Sequence, residues 1–229
     1  MLIKNARIDD HWVDLRIDLT VQAIGPQLEA MPDETMLDAR GGELLPGLYD
    51  HHMHLFAAAA AHESVDCNVG AGTLSQCRDL LATRLQQASG GDWIRGVDYQ
   101  EQQVGELDRW RLDELCSTRP VRIQHRSGKV WVCNSLALQE LGFKDGDRID
   151  GLEVDRRGAL TGRIVRNDSL LAERMRRAKA NKPPDIAAYS RLLASYGIVG
   201  ITDTSASNTL DTRADFQYLS TLSLIHISE

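Results

Sequence analysis

The stretch Leu44-Leu45-Pro46-Gly47-Leu48-Tyr49-Asp50-His51-His52-Met53-His54 decides the reading of this chain, because it carries two imidazoles, two residues apart, to the end of a short apolar run. In a β-strand alternate side chains share a face. The pattern therefore predicts Asp50, His52 and His54 on one side and His51, Met53 and Leu55 on the other. Both rings of the pair then reach one cation. Neutral imidazole suits Zn²⁺ and similar metals at about 2.0–2.1 Å, and a catalytic ion keeps an open position for water beside its protein ligands. Taken alone, a His-x-His tripeptide reads equally well as a chance pair on a polar face. Context shifts that balance: turn signals at Gly41-Gly42 and Pro46-Gly47 bracket a short strand that ends at the pair.

Working outward, the order and spacing of several short runs resemble the opening of the metal-dependent amidohydrolase superfamily. They are Leu2-Ile3-Lys4-Asn5-Ala6-Arg7-Ile8, Val21 to Pro26, Leu37 to Gly42, and Pro46-Gly47-Leu48-Tyr49-Asp50. Later runs resemble its amidohydrolase-3 branch: Trp93 to Val97, Arg126-Ser127-Gly128, Asn134-Ser135, Thr161-Gly162 and Gly197 to Asp203. The resemblance implies a TIM-like (β/α)8 barrel preceded by a small β-sandwich segment, and a hydrolase of non-peptide carbon–nitrogen bonds that uses metal-activated water. It implies one or two divalent ions, with zinc the expected metal, and further histidines, a bridging lysine and a late aspartate that do not map onto this sequence. No general base is assigned for that reason.

Length bears on the same point. A complete barrel takes about 250 residues, more than follows Pro46 in this 229-residue chain. The expectation is an α/β chain with residues 1–46 as the N-terminal β segment, half of a composite β-sandwich, and residues 47–221 as an incomplete barrel of roughly three or four units. Residues 222–229, Leu-Ser-Leu-Ile-His-Ile-Ser-Glu, read as a translated sequencing adapter. The competing reading makes Leu224 to Ile227 a real buried strand with His226 as a possible ligand. On the first view this chain is a truncated, inactive piece of an enzyme.

Composition fits a globular protein, with 42% hydrophobic and 26% charged residues and no apolar run of membrane-spanning length. The opening residues lack the apolar core of a secretory signal, so a cytoplasmic location is expected, with Cys67, Cys77, Cys116 and Cys133 reduced and buried as small hydrophobes. A net charge of −7 argues against a broad nucleic-acid surface. The Arg174, Arg176, Arg177, Lys179 and Lys182 run reads as a solvated helix face. The expected partner is a small-molecule substrate, with self-association into a homo-oligomer left open.

Helical spacing of Leu74, Cys77, Leu81, Leu85 and Ala88 predicts one helix, and Pro184-Asp185 opens another that Gly197 closes. Asn134 or Ser135 caps a short helix between them. Strands are expected at Trp93 to Val97, Val121 to His125, Val130 to Cys133 and Ile198 to Thr202, with a hairpin across 151–155 and 159–165.

In a barrel the chemistry sits at the C-terminal strand ends, which makes polar residues there candidates. His52 and His54 are the expected metal ligands. Asp50 either orients a ligand ring or accepts a turn hydrogen bond. Tyr99, His125 and Lys129 are candidate substrate contacts, with Glu101 of similar standing. Many relatives carry histidine at the place of Lys129, and a lysine there favours an anionic substrate group. Asp203 either reaches the site or caps a loop. Two other readings share the scaffold: a deaminase, and a non-catalytic metal-binding or interaction protein.

Overall fold

The computed structural model describes residues 1–89, 91, 93–180 and 182–205, and the backbone of 226–228. Four strands open the chain, β1 (Leu2–Ile8), β2 (His11–Ile17), β3 (Val21–Gly25) and β4 (Met36–Asp38), in the sheet order β3-β2-β1-β4. Leu2, Ala6 and Leu15 are buried, while Trp12, Val21, Ile24, Met36 and Leu37 remain exposed. Two ion pairs fasten this sheet, one between β1 and β2 and one from β2 to the loop between β3 and β4. Lys4 Nζ lies 2.7 Å from the Asp14 carboxylate, and Arg16 holds Glu34 at 2.8 Å.

The segment that leads into the histidine pair forms β5 (Leu48–Met53), followed at once by α1 (Leu55–His62). The next elements are β6 (Val65–Asp66), α2 (Leu74–Gln87), β7 (Ile94–Tyr99), α3 (Glu101–Val104) and α4 (Arg109–Leu115). They lead into β8 (Val121–His125), β9 (Val130–Cys133), α5 (Ser135–Glu140), β10 (Leu152–Val154), β11 (Leu160–Val165) and α6 (Asp168–Arg177). The chain then runs through α7 (Ile186–Ser195) and β12 (Ile198–Asp203) to β13 (His226–Ser228).

Local signals explain most of these boundaries. Thr73 and Gln76 form a reciprocal capping box at the start of α2, and Asn134 and Asp185 accept N–H groups of the first turns of α5 and α7. All four cysteines are free and buried, and burial pushes the Cys67 and Cys133 thiols up to about 12. Arg174, Arg176 and Arg177 do fall in the last turn of a helix, but Arg174 lies over the Phe143 ring instead of pointing only to water.

Strand connectivity departs from the expected succession of barrel strands. β7 and β8 belong to a six-stranded mixed sheet of order β10-β11-β9-β8-β7-β6, in which β9, β10 and β11 run antiparallel to their neighbours. β5 pairs in parallel with β12, some 150 residues later, in a separate sheet of order β13-β12-β5. In sequence, the six-stranded sheet thus lies between two adjacent parallel strands. Its two faces are packed: α2 and α4 cover Ile94, Val121 and Ile123, while α5 and α6 cover Trp131, Cys133 and Ile164. A third core joins α1, α7, β5 and β12 through Leu55, Ala59, Ile186, Leu193 and Ile201. The backbone of β13 pairs in parallel with β12; the side chain of His226 and most of the suspected tail lie outside the described residues.

Candidate metal centre

β5 ends where β12 ends, and the polar tip of β12 ties the two together. Thr204 donates its N–H to the Met53 carbonyl at 2.8 Å. The buried Asp203 carboxylate accepts the N–H of Leu55 at 3.1 Å and that of Ser205 at 2.7 Å, so it satisfies a free amide in the first turn of α1. His54 stands between these two ties as the residue that precedes α1, and its Nδ1 lies 3.3 Å from Ser205 Oγ. The His52 and His54 rings are neighbours, with centroids 5.6 Å apart and planes at 68°. Both residues are exposed.

The register of β5 against β12 slips twice, once at Leu48–Tyr49 and once beyond Asp50. Asp50 pairs with Ile201 and Met53 with Asp203, so β5 advances three residues where β12 advances two. This bulge re-aims the side chains that follow it. Tyr49 and His51 share a face, their rings 4.6 Å apart, while Asp50 and Met53 are the half-buried members of the strand. Of the two roles expected for Asp50, the structure shows that of hydrogen-bond acceptor. Its Oδ1 accepts the backbone N–H of His52 at 2.9 Å, and its charge, after burial, raises Tyr189 on α7. Asp50 shapes the strand end through the backbone.

Among the described residues, no group of three or more His, Cys, Asp or Glu side chains is placed to hold a metal. His52 and His54 are the two imidazoles that stand together at this strand end. Two neutral imidazoles at this separation suit a borderline cation bound through nitrogen, and the Ser205 contact at Nδ1 of His54 leaves Nε2 as its available donor.

The three substrate-contact candidates stand in the other sheet. Tyr99 is corrected: it is buried, its hydroxyl donates to the Gly105 carbonyl and accepts the Leu107 N–H, and both bonds are internal. Tyr99 is therefore a core residue. His125 packs edge-on against it and joins Glu101 at 2.7 Å through Nε2 and Ser127 Oγ at 2.8 Å through Nδ1. The Glu101 carboxyl lies below its ordinary range, held there by its own backbone N–H and by His125. Lys129 is exposed in the β8–β9 turn. Sequence reasoning left Asp203 between two roles and passed over Ser205; the polar run Thr202-Asp203-Thr204-Ser205 at a strand end was the available signal.

The histidine pair thus stands at the end of a parallel strand that is followed directly by a helix. The sequence pattern of the amidohydrolase family, in its amidohydrolase-3 form, matches residues 35–224, and the chain belongs to this family. It is 32% identical over 118 residues to the N-substituted formamide deformylase of Arthrobacter pascens, a match covering 50% of this chain and 22% of that protein. It is 29% identical over 120 residues to the imidazolonepropionase of Symbiobacterium thermophilum, covering 48% and 26%. Two solved structures share the fold, both described as uncharacterized metal-dependent hydrolases. The one from Pyrococcus furiosus gives a TM-score of 0.61 at 18% identity, over 99% of this chain and 48% of that one. The one from Pyrococcus horikoshii gives 0.59 at 20%, over 85% and 38%. The chain thus spans about a quarter of the curated relatives it matches and less than half of these structures.

Proposed function

We propose that the whole protein is a metal-dependent hydrolase of carbon–nitrogen bonds other than peptide bonds, acting on a small molecule of the amide or formamide class. The observation that carries this reading is the His52–His54 pair at the end of a parallel strand in an amidohydrolase chain. Its relationship to a deformylase of N-substituted formamides favours the formamide class. His52 and His54 are the residues that would hold a divalent ion, with Zn²⁺ the best match to imidazole donors. Such an ion supplies a polarised carbonyl and a water of lowered pKa.

This chain's own residues contribute placement. The Asp203 carboxylate and the Thr204 N–H lock the start of α1 to the strand end, which fixes the backbone on both sides of His54. With Nε2 on the metal, His54 Nδ1 would carry the ring proton and donate it to Ser205 Oγ, which selects the ring orientation and directs Nε2 outward. The bulge at Asp50 sets His52 beside His54.

The test is the double substitution His52→Ala/His54→Ala in the intact protein, with metal content read by elemental analysis and hydrolysis of N-substituted formamides followed in parallel. Loss of at least one equivalent of bound metal together with activity is the expected result. Unchanged metal content removes the ligand assignment.

A further inference from the structure

The six-stranded sheet holds a pair of cations that the metal centre does not use. Arg95 on β7 and Arg122 on β8 are register partners on adjacent parallel strands, so their side chains leave the same face side by side. Their guanidinium carbons lie 5.5 and 5.2 Å from the centre of the Trp131 ring. Both are half-buried, and neither has a carboxylate partner among the described residues. Burial, and then the neighbouring Arg122, pulls Arg95 down to about 10, and burial alone lowers Arg122. Both therefore remain charged at neutral pH.

Two half-buried like charges in contact destabilise a fold unless something compensates them. The Trp131 ring compensates in part, at about 0.5–2 kcal/mol per cation. Arg95 spends one Nη1–H on Ser64 Oγ at 2.6 Å, while no side-chain hydrogen bond within the described residues occupies Arg122. Both arginines open into a cavity of about 690 Å³ bounded by α1, the end of α2 and the segment before α7, with Lys182 at its wall. Its volume lies within the range of small-molecule sites. Glu63, the one carboxylate on its lining among the described residues, already accepts the Asp185 N–H.

We propose that this cavity is an anion-binding site, separate from the histidine pair, in which Arg95 and Arg122, both stacked near the Trp131 ring, receive the oxygens of a carboxylate or phosphate group. Planar guanidinium forks match both groups in the same way, and charge-assisted hydrogen bonds of this kind are about twice as strong as neutral ones. Trp93 and Phe56 on the wall give an attached organic group an apolar surface.

The experiment is calorimetric titration of the intact protein with inorganic phosphate and, separately, with sodium acetate, each at constant ionic strength with chloride as the reference anion. Saturable binding of one of them is expected, and the arm that binds identifies the oxyanion. Arg122→Gln should weaken it about tenfold or more, in keeping with the loss of a charged hydrogen-bond pair, and Arg122→Lys, which keeps the charge without the fork, should fall between. Without added anion, Arg122→Gln should melt no lower than the parent, because it removes a like-charge contact. Phosphate and acetate binding no better than chloride would mean an adventitious ion only and overturns the proposal. So does unchanged affinity in Arg122→Gln, or a large loss of melting temperature in the anion-free variant, which marks a purely structural pair.

Discussion

The two parallel seams of this protein are built differently. β7 and β8 lie 27 residues apart in register, as Ile94 faces Val121, and their sheet has a core on each face, interrupted on one by the cavity that Arg95 and Arg122 open into. β5 and β12 are joined across about 150 residues, Asp50 facing Ile201, with one described core beside them and the histidine side open. Sheets buried on both faces draw their order from apolar contacts. At the β5–β12 seam order comes instead from hydrogen bonds at the tip, through Asp203, Thr204 and Ser205. The histidine side of this seam is not closed by packing among the described residues, so polar ties take over its alignment.

Single β-carbons test that contrast most strongly. Gly162 in β11 has φ +84°, and a Cβ there would meet the Cys133 carbonyl at 2.3 Å and Arg109 Cβ at 2.9 Å. Gly162→Ala should cost about 2–4 kcal/mol, from strained backbone and forced movement of a packed strand, read by denaturant unfolding. Gly47 borders the other seam, and a Cβ there would meet both Val199 methyls at 2.5 Å. Side chains move more readily than backbone, so Gly47→Ala should cost less, about 1–2 kcal/mol. If the two costs come out equal, the supposed difference in packing between the seams is absent.

The polar ties come next. Asp203→Ala leaves the Leu55 and Ser205 amides without their acceptor and should destabilise by about 1–3 kcal/mol. Ser205→Ala should leave global stability almost untouched while lowering metal affinity by roughly tenfold, the effect of removing a hydrogen bond behind a ligand imidazole. A metal-binding titration beside a thermal melt separates the two. Equal metal affinity in Ser205→Ala would show that Ser205 does not orient His54.

The smallest effect belongs to the N-terminal sheet. The hydrogen bond from Lys4 holds the Asp14 carboxyl at about 2, and that from Arg16 holds Glu34 at about 2, both below the ordinary values near 4. A carboxyl depressed in the folded state stabilises above its unfolded pKa and loses that contribution as pH falls through the folded one. Melting temperature should therefore decline between about pH 4.5 and 2, and Asp14→Asn should flatten part of that decline. An identical pH profile in the variant would remove Asp14 from the account.

Much of the local structure was legible. The α5 and α7 caps, the β10–β11 hairpin and the strand carrying the histidine pair all follow from residues within one turn or one strand, where capping and alternation act. The capping box of α2 was equally available in Thr73 and Gln76. Sheet membership was not legible, since the apolar alternation of Ile94 to Tyr99 fits a barrel strand and a strand of a separate sheet equally well. Nor was the bulge at Asp50, which depends on where β12 meets β5.

By itself, the sequence determined that two histidines end a short strand, that the chain resembles an amidohydrolase, and that four cysteines are core residues. Those properties rest on residue type and on spacing over a few positions. Only the tertiary structure decided that β12 is the neighbour of β5, that Asp203 and Ser205 hold His54, that Tyr99 is internal, and that Arg95 and Arg122 share one cavity. Each of these depends on contacts between residues far apart in the chain, and pairing over such separations is selected by the packing of whole sheets, which no local pattern records.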